Sequence, residues 1–149
     1  MSVKLPISVM VVVHTAALDV LLLERASRPG YWQSVTGSLD RLDEQLEDAA
    51  RRELREETGI DAARAALERW GVANAFEIYA QWRHRFARGI THNTEHVFGL
   101  RLPGRIAVTL APQEHRAQLW LPWREAAEKC FSWSNRDAIR MLPARSDAA

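Results

Sequence analysis

The segment from Arg52 to Ile60 reads RELREETGI and crowds three glutamates, Glu53, Glu56 and Glu57, into little more than one helical turn. On an ideal helix Glu57 lies about 40° from Glu53 around the axis, and Glu56 about 60° to its other side. Like charges at this spacing repel. Oxygen ligands of this kind suit a hard dication, Mg²⁺ or Mn²⁺, and such ions usually bridge carboxylates to substrate phosphates. A bound dication turns the repulsion into attraction and acidifies water. The alternative is a solvated helix side whose charge Arg52 and Arg55 partly relieve.

A helix must carry these groups. Its start is expected at Asp43 as N-cap, with Glu44, Glu47 and Asp48 near the first turn and Arg51, Arg52 and Arg55 further on, as the helix dipole favours. Gly59 is a natural stop. Leu46, Ala50 and Leu54 recur at i, i+4, i+8 and form the expected buried stripe, with the three glutamates expected on the face away from it. ISVMVVV and DVLLLER, separated by HTAAL, read as two strands. SRPGYWQSVTGS reads as loop with a short strand around Val35. FEIYAQWRHRF alternates and is expected as a strand, followed by strands in TEHVFGLRL and IAVTL. QEHRAQLW reads as a polar loop leading into an apolar segment. WREAAEKC and SNRDAIRML read as helices, the second starting near Ser134 or Asn135. Strands, helix, strands, helices predict a mixed sheet with helices on both faces, an α/β or α+β sandwich.

The 149 residues suit one domain, 1–149, with an ordinary apolar fraction of 47%. A net charge of +1 argues against wholesale attraction to nucleic acid or membrane. A lone cysteine, Cys130, allows no internal disulfide, so a reduced cytoplasmic setting is expected. The seven-residue apolar run near the N-terminus is too short to span a bilayer. The tail ARSDAA is expected to fray.

RELREETGI fits Arg-Glu-aliphatic-x-Glu-Glu-x-Gly-aliphatic at every defined position and so resembles the core of the Nudix hydrolase box; Gly37 and Glu44 resemble its leading Gly and Glu. The resemblance implies a Nudix α/β/α fold, hydrolysis of a nucleoside diphosphate linked to another group, and divalent metal held by the glutamates. One departure stands out. Six residues, SLDRLD, separate Gly37 from Glu44 where the family has five. Either the loop carries an insertion or Asp43 takes that seat; an insertion is expected, because Glu44 keeps its usual spacing to Arg52. A helical position about 180° from Glu53 gives Glu44 a supporting role rather than ligation.

The segments YWQSVTGS, RHRFARGITHNTEHVFGL and SWSNRDAI are similar to the bacterial dihydroneopterin triphosphate pyrophosphatases, also described as dATP pyrophosphohydrolases, and the likeness runs from about Ser8 to Ile139. It implies cleavage of dihydroneopterin triphosphate to the monophosphate and pyrophosphate in folate synthesis, with a small-molecule triphosphate as the partner. The alternatives are a broader dATP or nucleoside triphosphate pyrophosphohydrolase and a non-hydrolytic sensing module; the complete glutamate set argues against the last.

Candidate substrate contacts follow. Arg83 and Arg85, on one face of the expected strand and about 7 Å apart, can grip a triphosphate; the alternative is pairing with Glu77 or Glu95. Arg25, at the end of the second strand, is a further phosphate candidate. Trp32 is a candidate to stack on a pterin, with Gln33 reading polar edges; the alternative for Trp32 is a core plug. Trp133 and Asn135 are similar, and Asn135 alternatively caps the last helix. His84 is expected in the core. The resemblance implies metal ligation by Glu53, Glu56, Glu57, Glu114 and the carbonyl of Gly37, with Glu57 and Glu114 as catalytic carboxylates. Arg52 is expected to orient a glutamate of the box.

Overall fold

Valine- and leucine-rich segments pack well on a pleated surface, and they build the centre of the sheet. The computed structural model describes residues 3–147. In it, β1 (Ile7–Thr15) and β2 (Asp19–Arg25) are joined by a tight turn in which Leu18 adopts a φ of 66°. β1 runs parallel to β6 (His92–Leu102), in register from Ile7↔Thr94 to Thr15↔Leu102. β6 in turn pairs antiparallel with β5 (Leu67–Glu77), whose register shifts between Arg69 and Ala73, where Gly71 takes a φ of 71°.

The other edge of β1 is divided. Near its end it meets β2 at His14↔Val20. Towards its start the two strands part, and the chain returns between them. β3 (Trp32–Gln33) bonds to β2, and β4 (Val35–Ser38) bonds to β1 through Ser8↔Ser38 to Val11↔Val35. β7 (His115–Pro122) lies antiparallel along β2 with an irregularity between Glu24 and Arg25.

Alternation along β1 feeds two cores. Val9, Val11 and Val13 pack against Ala49, Ala50 and Leu54 of α1 (Leu46–Thr58) on one face. Met10 and Val12 pack on the other face against Ala126 and Ala127 of α2 (Trp123–Lys129) and Ala138 and Ile139 of α3 (Trp133–Arg140). The mixed sheet with helices on both faces is as the sequence leads one to expect. Among the described residues no helix is long and apolar enough to cross a membrane.

Several local expectations are corrected. FEIYAQWRHRF is a strand only to Glu77, and Ala80–Arg85 forms a 3₁₀ helix. The ladder ends at Glu77↔His92, so the chain beyond has no strand to bond, and Tyr79 and Trp82 turn to pack with Phe131. IAVTL is not in the sheet. The Gln118 side chain takes both backbone groups of Val108, at 2.7 and 2.8 Å, and the Trp120 indole N–H donates to the Ile106 carbonyl at 2.7 Å. The strand sits instead in the segment read as a loop and its apolar sequel, as β7. The first helix begins at Leu46 rather than after Asp43. Asp43 pairs with Arg41, and Glu44 is drawn out of the helix towards Arg52 and the Asp40 N–H. Ser132, not Ser134 or Asn135, caps α3 by accepting from the Asn135 N–H. Met141 separates α3 from a last helix, α4 (Leu142–Asp147), so most of the tail expected to fray is helical; Ala148 and Ala149 lie outside the described residues.

The glutamates are also placed differently. Successive 100° steps put Glu53 and Glu57 within about 20° of Leu46, on the packed side rather than away from it. Glu53 and Glu57 are accordingly 9% and 1% exposed, and only Glu56 turns outward.

Candidate active site

A cavity of about 640 Å³ opens where β1 and β2 part, lined by all three secondary layers. Glu57, Glu95 and Glu114 line it with Gly37, and Glu53 stands against Gly37 outside the lining. A Cβ built at Gly37 would lie 2.1 Å from the Glu53 carboxyl carbon, so the missing side chain is the space that the Glu53 carboxylate occupies. Arg52 fixes the group from the other side. Its guanidinium donates to Glu53 Oε1 at 2.7 Å, to both oxygens of Glu44 at 3.0 and 3.1 Å, and to the Ser38 carbonyl at 3.1 Å, and it pairs with Asp40. Charge-assisted bonds of this kind are the strong ones.

Glu57 lies beside Glu53. Burial pushes its carboxyl well above the usual range, and the neighbouring Glu53 and Glu114 add to the effect. Of the two box carboxyls packed together, Glu57 is the one driven harder towards its neutral form. Its Oε1 is buried without a hydrogen-bond partner. His115, unassigned by the sequence reading although it follows Glu114 directly, stands 3.8 Å away through Nδ1. Burial, then Arg25, pushes His115 down to about 4 and keeps it neutral. The Gln33 amide sits 3.0 Å from Nε2 and can only donate, which leaves the ring proton on Nδ1, facing Glu57. Glu114 is exposed on the cavity wall, where its charge reaches Glu57.

These residues suit a divalent cation. The donors are all oxygens, a buried carboxylate oxygen lacks a partner, and Gly37 leaves room for a carboxylate against the strand. As they stand, no three acidic, histidine or cysteine side chains among the described residues converge closely enough to hold an ion. Arg52 draws Glu53 towards itself, and Glu56 points to solvent. α1 is held by Ala49, Ala50 and Leu54 rather than by a ligand. Chelation with EDTA is therefore expected to leave the far-ultraviolet circular dichroism native while activity is lost. A loss of helical signal would show that metal and fold are coupled, as in a zinc finger.

The basic wall holds Lys4, Arg25 and Arg85. Lys4 was not singled out in the sequence; its N–H donates to the Arg85 carbonyl at 2.8 Å, which sets the two cations side by side. Burial and then Arg85 lower the affinity of both Lys4 and Arg25 for their protons. Arg25 lies over the Trp82 ring at 4.7 Å, and its Nη1 reaches Gln33 Oε1 at 3.4 Å. Arg83 is not on this wall. It folds back onto the Ile78 carbonyl and pairs with Glu77, because the 3₁₀ turn separates it from Arg85 rather than keeping the two on one strand face. Arg85→Ala should therefore lower kcat/KM by about tenfold or more, the scale of one lost charge-assisted bond. Arg83→Ala should stay near wild type, and equal losses in both variants would refute this division.

At the far end Trp82, Tyr79, Phe131 and Trp133 line the opening. Trp32 does not. It packs in the second core beneath Lys129, the core plug allowed as its alternative, because β3 pairs with β2 and carries Trp32 away from the opening while Gln33 faces it. Asn135 is 1% exposed; its amide accepts from the Ser34 N–H at 2.7 Å and donates to Ser34 Oγ at 2.9 Å, tying α3 to the β3–β4 link at the cavity edge. His84 is exposed at the rim rather than in the core, since its segment is not a strand with an apolar face.

The NUDIX domain family model matches residues 4–142. The chain belongs to the NUDIX domain family. It is similar to the dihydroneopterin triphosphate diphosphatase of Escherichia coli (strain K12), 41% identical over 142 residues covering 93% of each chain. It is also similar to the enzyme of that name from Haemophilus influenzae, 35% identical over 136 residues, covering 89% of this chain and 84% of the relative. Among solved structures, the E. coli dihydroneopterin triphosphate pyrophosphohydrolase superposes with a TM-score of 0.89 at 38% identity, covering 97% of this chain and 99% of the other. NUDIX hydrolases generally use divalent metal ions.

Proposed function

We propose that this NUDIX protein, read as one hydrolase domain over residues 1–149, cleaves dihydroneopterin triphosphate to the monophosphate and pyrophosphate, a step in folate synthesis, in the cytoplasm. The observation that carries the reading is a single cavity joining a buried carboxylate wall, a wall of three cations and an aromatic mouth. That combination suits a metal-dependent reaction on a polyphosphate attached to a flat ring. The similarity to two dihydroneopterin triphosphate diphosphatases supports the pterin as that ring.

Glu53, Glu56, Glu57, Glu114 and the Gly37 carbonyl would hold Mg²⁺ or Mn²⁺, which when bound would neutralise phosphate charge and acidify water. Arg52 keeps the Glu53 carboxylate aimed across Gly37. Glu114, and Glu57 once a bound cation keeps it ionised, would take up a proton from water. Arg25, Arg85 and Lys4 neutralise the phosphate chain and the charge that builds on the leaving pyrophosphate. Gln33 and Asn135 border the cavity, Asn135 with its amide committed to Ser34.

The test is a product assay with Mg²⁺ on dihydroneopterin triphosphate and dATP side by side. Pyrophosphate and the pterin monophosphate are expected, with kcat/KM favouring the pterin by about tenfold or more. Comparable values for dATP would instead identify a broader nucleoside triphosphate pyrophosphohydrolase. No cleavage of either would make the protein a binding module.

A further inference from the structure

Deep in the same cavity two acceptors stand without donors. Asn93 and Glu95 lie two residues apart on β6 and share one face of the strand. They are 6% and 5% exposed, both line the cavity, and Asn93 Oδ1 and Glu95 Oε1 are buried with no hydrogen-bond partner. The Asn93 amide donates to Ser8 Oγ at 2.7 Å, and the hydroxyl residues Ser134 and Thr36 stand beside Glu95. Neither side chain meets an arginine.

Buried polar atoms without partners are uncommon and call for an explanation. Here the atoms are two acceptors, one of them on a carboxylate, so the missing group must present donors. A 2-amino-4-oxopyrimidine does so, with an amino group beside a ring N–H. Adenine offers an amino group next to a ring nitrogen that only accepts, which would set a lone pair against an acceptor. Resting on the pterin reading above, we propose that Glu95 and Asn93 are the specificity-determining pair and receive the 2-amino and N3–H donors of the pterin ring. Burial raises Glu95 to about 7, so leaving it ionised without donors is costly, and a ligand that supplies them recovers that cost.

Discrimination is strongest where a site built to hydrogen-bond one ring leaves its polar groups unpaired by another. Neopterin, which has the ring and no phosphate, can be titrated by its fluorescence in EDTA against wild type and Glu95→Gln. The variant should bind about tenfold or more weakly, and the ratio of kcat/KM for dihydroneopterin triphosphate over dATP should fall by a similar factor. Unchanged neopterin binding, or both substrates falling equally, overturns the assignment. If Glu95→Gln loses its native circular dichroism, the wild-type protein still decides. Replacing the 2-amino group of the ligand by oxygen should weaken binding about tenfold, and equal binding refutes the proposal. A wild type that binds neopterin through these donors yet hydrolyses no pterin triphosphate would count against the proposed activity alone.

Discussion

Replacing Glu57 by glutamine is expected to lower kcat by about 10²-fold or more while Tm stays level or rises. Ligand and general-base losses are of that size. The stability half of the expectation comes from the packing. Glu57 is 1% exposed, with one unpartnered oxygen, and it faces Glu53 and Glu114. Burial and the neighbouring Glu53 and Glu114 favour its neutral form, so a neutral amide of the same shape suits its surroundings. Steady-state kinetics with Mg²⁺ and a thermal melt in EDTA on the same preparation check both halves. Wild-type turnover would take Glu57 out of the reaction, and a large fall in Tm would mean that its carboxylate supports the fold.

Gly37→Ala should act through the same carboxyl pair from the opposite side. The backbone at Gly37 is not in the left-handed region, so alanine is tolerated by the chain itself. The obstacle is the Glu53 carboxyl group, 2.1 Å from the added carbon. It is the end of a flexible side chain, so the group can swing aside at modest cost to stability. It cannot swing aside and keep both its bond to Arg52 and its place against β4. Displacing a ligand or its support costs about 10- to 100-fold in metal affinity or activity, and the upper end is expected here because the ligand itself moves. Activity titrated with Mg²⁺ should show a weaker apparent metal affinity with a near-native Tm. Retention of both would mean that Glu53 functions from a different position.

Much of this was legible in the residues. The strands of ISVMVVV and DVLLLER, the first helix and its Gly59 stop all follow from local pattern, as does the motif that marks the family. The failures share a cause. FEIYAQWRHRF alternates like a strand to its end, but alternation says nothing about whether a partner strand is present, and past Glu77 there is none. IAVTL has β-forming residues, yet side chains of β7 claim its backbone groups. At the site, proximity in sequence suggested Arg83 with Arg85, whereas folding joined Arg85 to Lys4, some eighty positions away, and left Arg83 to Glu77. Trp32 and Gln33 are adjacent in sequence, but neighbouring strand residues face opposite ways, so only Gln33 faces the cavity. Asn93 and Glu95 stand in a polar run, His92 to His96, and only the fold shows that these two turn inward.

The Arg52 guanidinium has a consequence for chain length. It joins Ser38, Asp40 and Glu44 to the helix that carries Glu53, so the loop between Gly37 and Glu44 is closed at its base by side-chain bonds. For a loop closed in this way, the entropy of closure grows only with the logarithm of length. Going from five residues to six costs roughly 0.2 kcal/mol. The extra residue in SLDRLD is thus almost silent in free energy, and Gly37 and Glu53 keep their registration whatever the loop does above them. A change of length between Asp40 and Glu44 is therefore expected to leave Ser38 and Glu53 joined through Arg52.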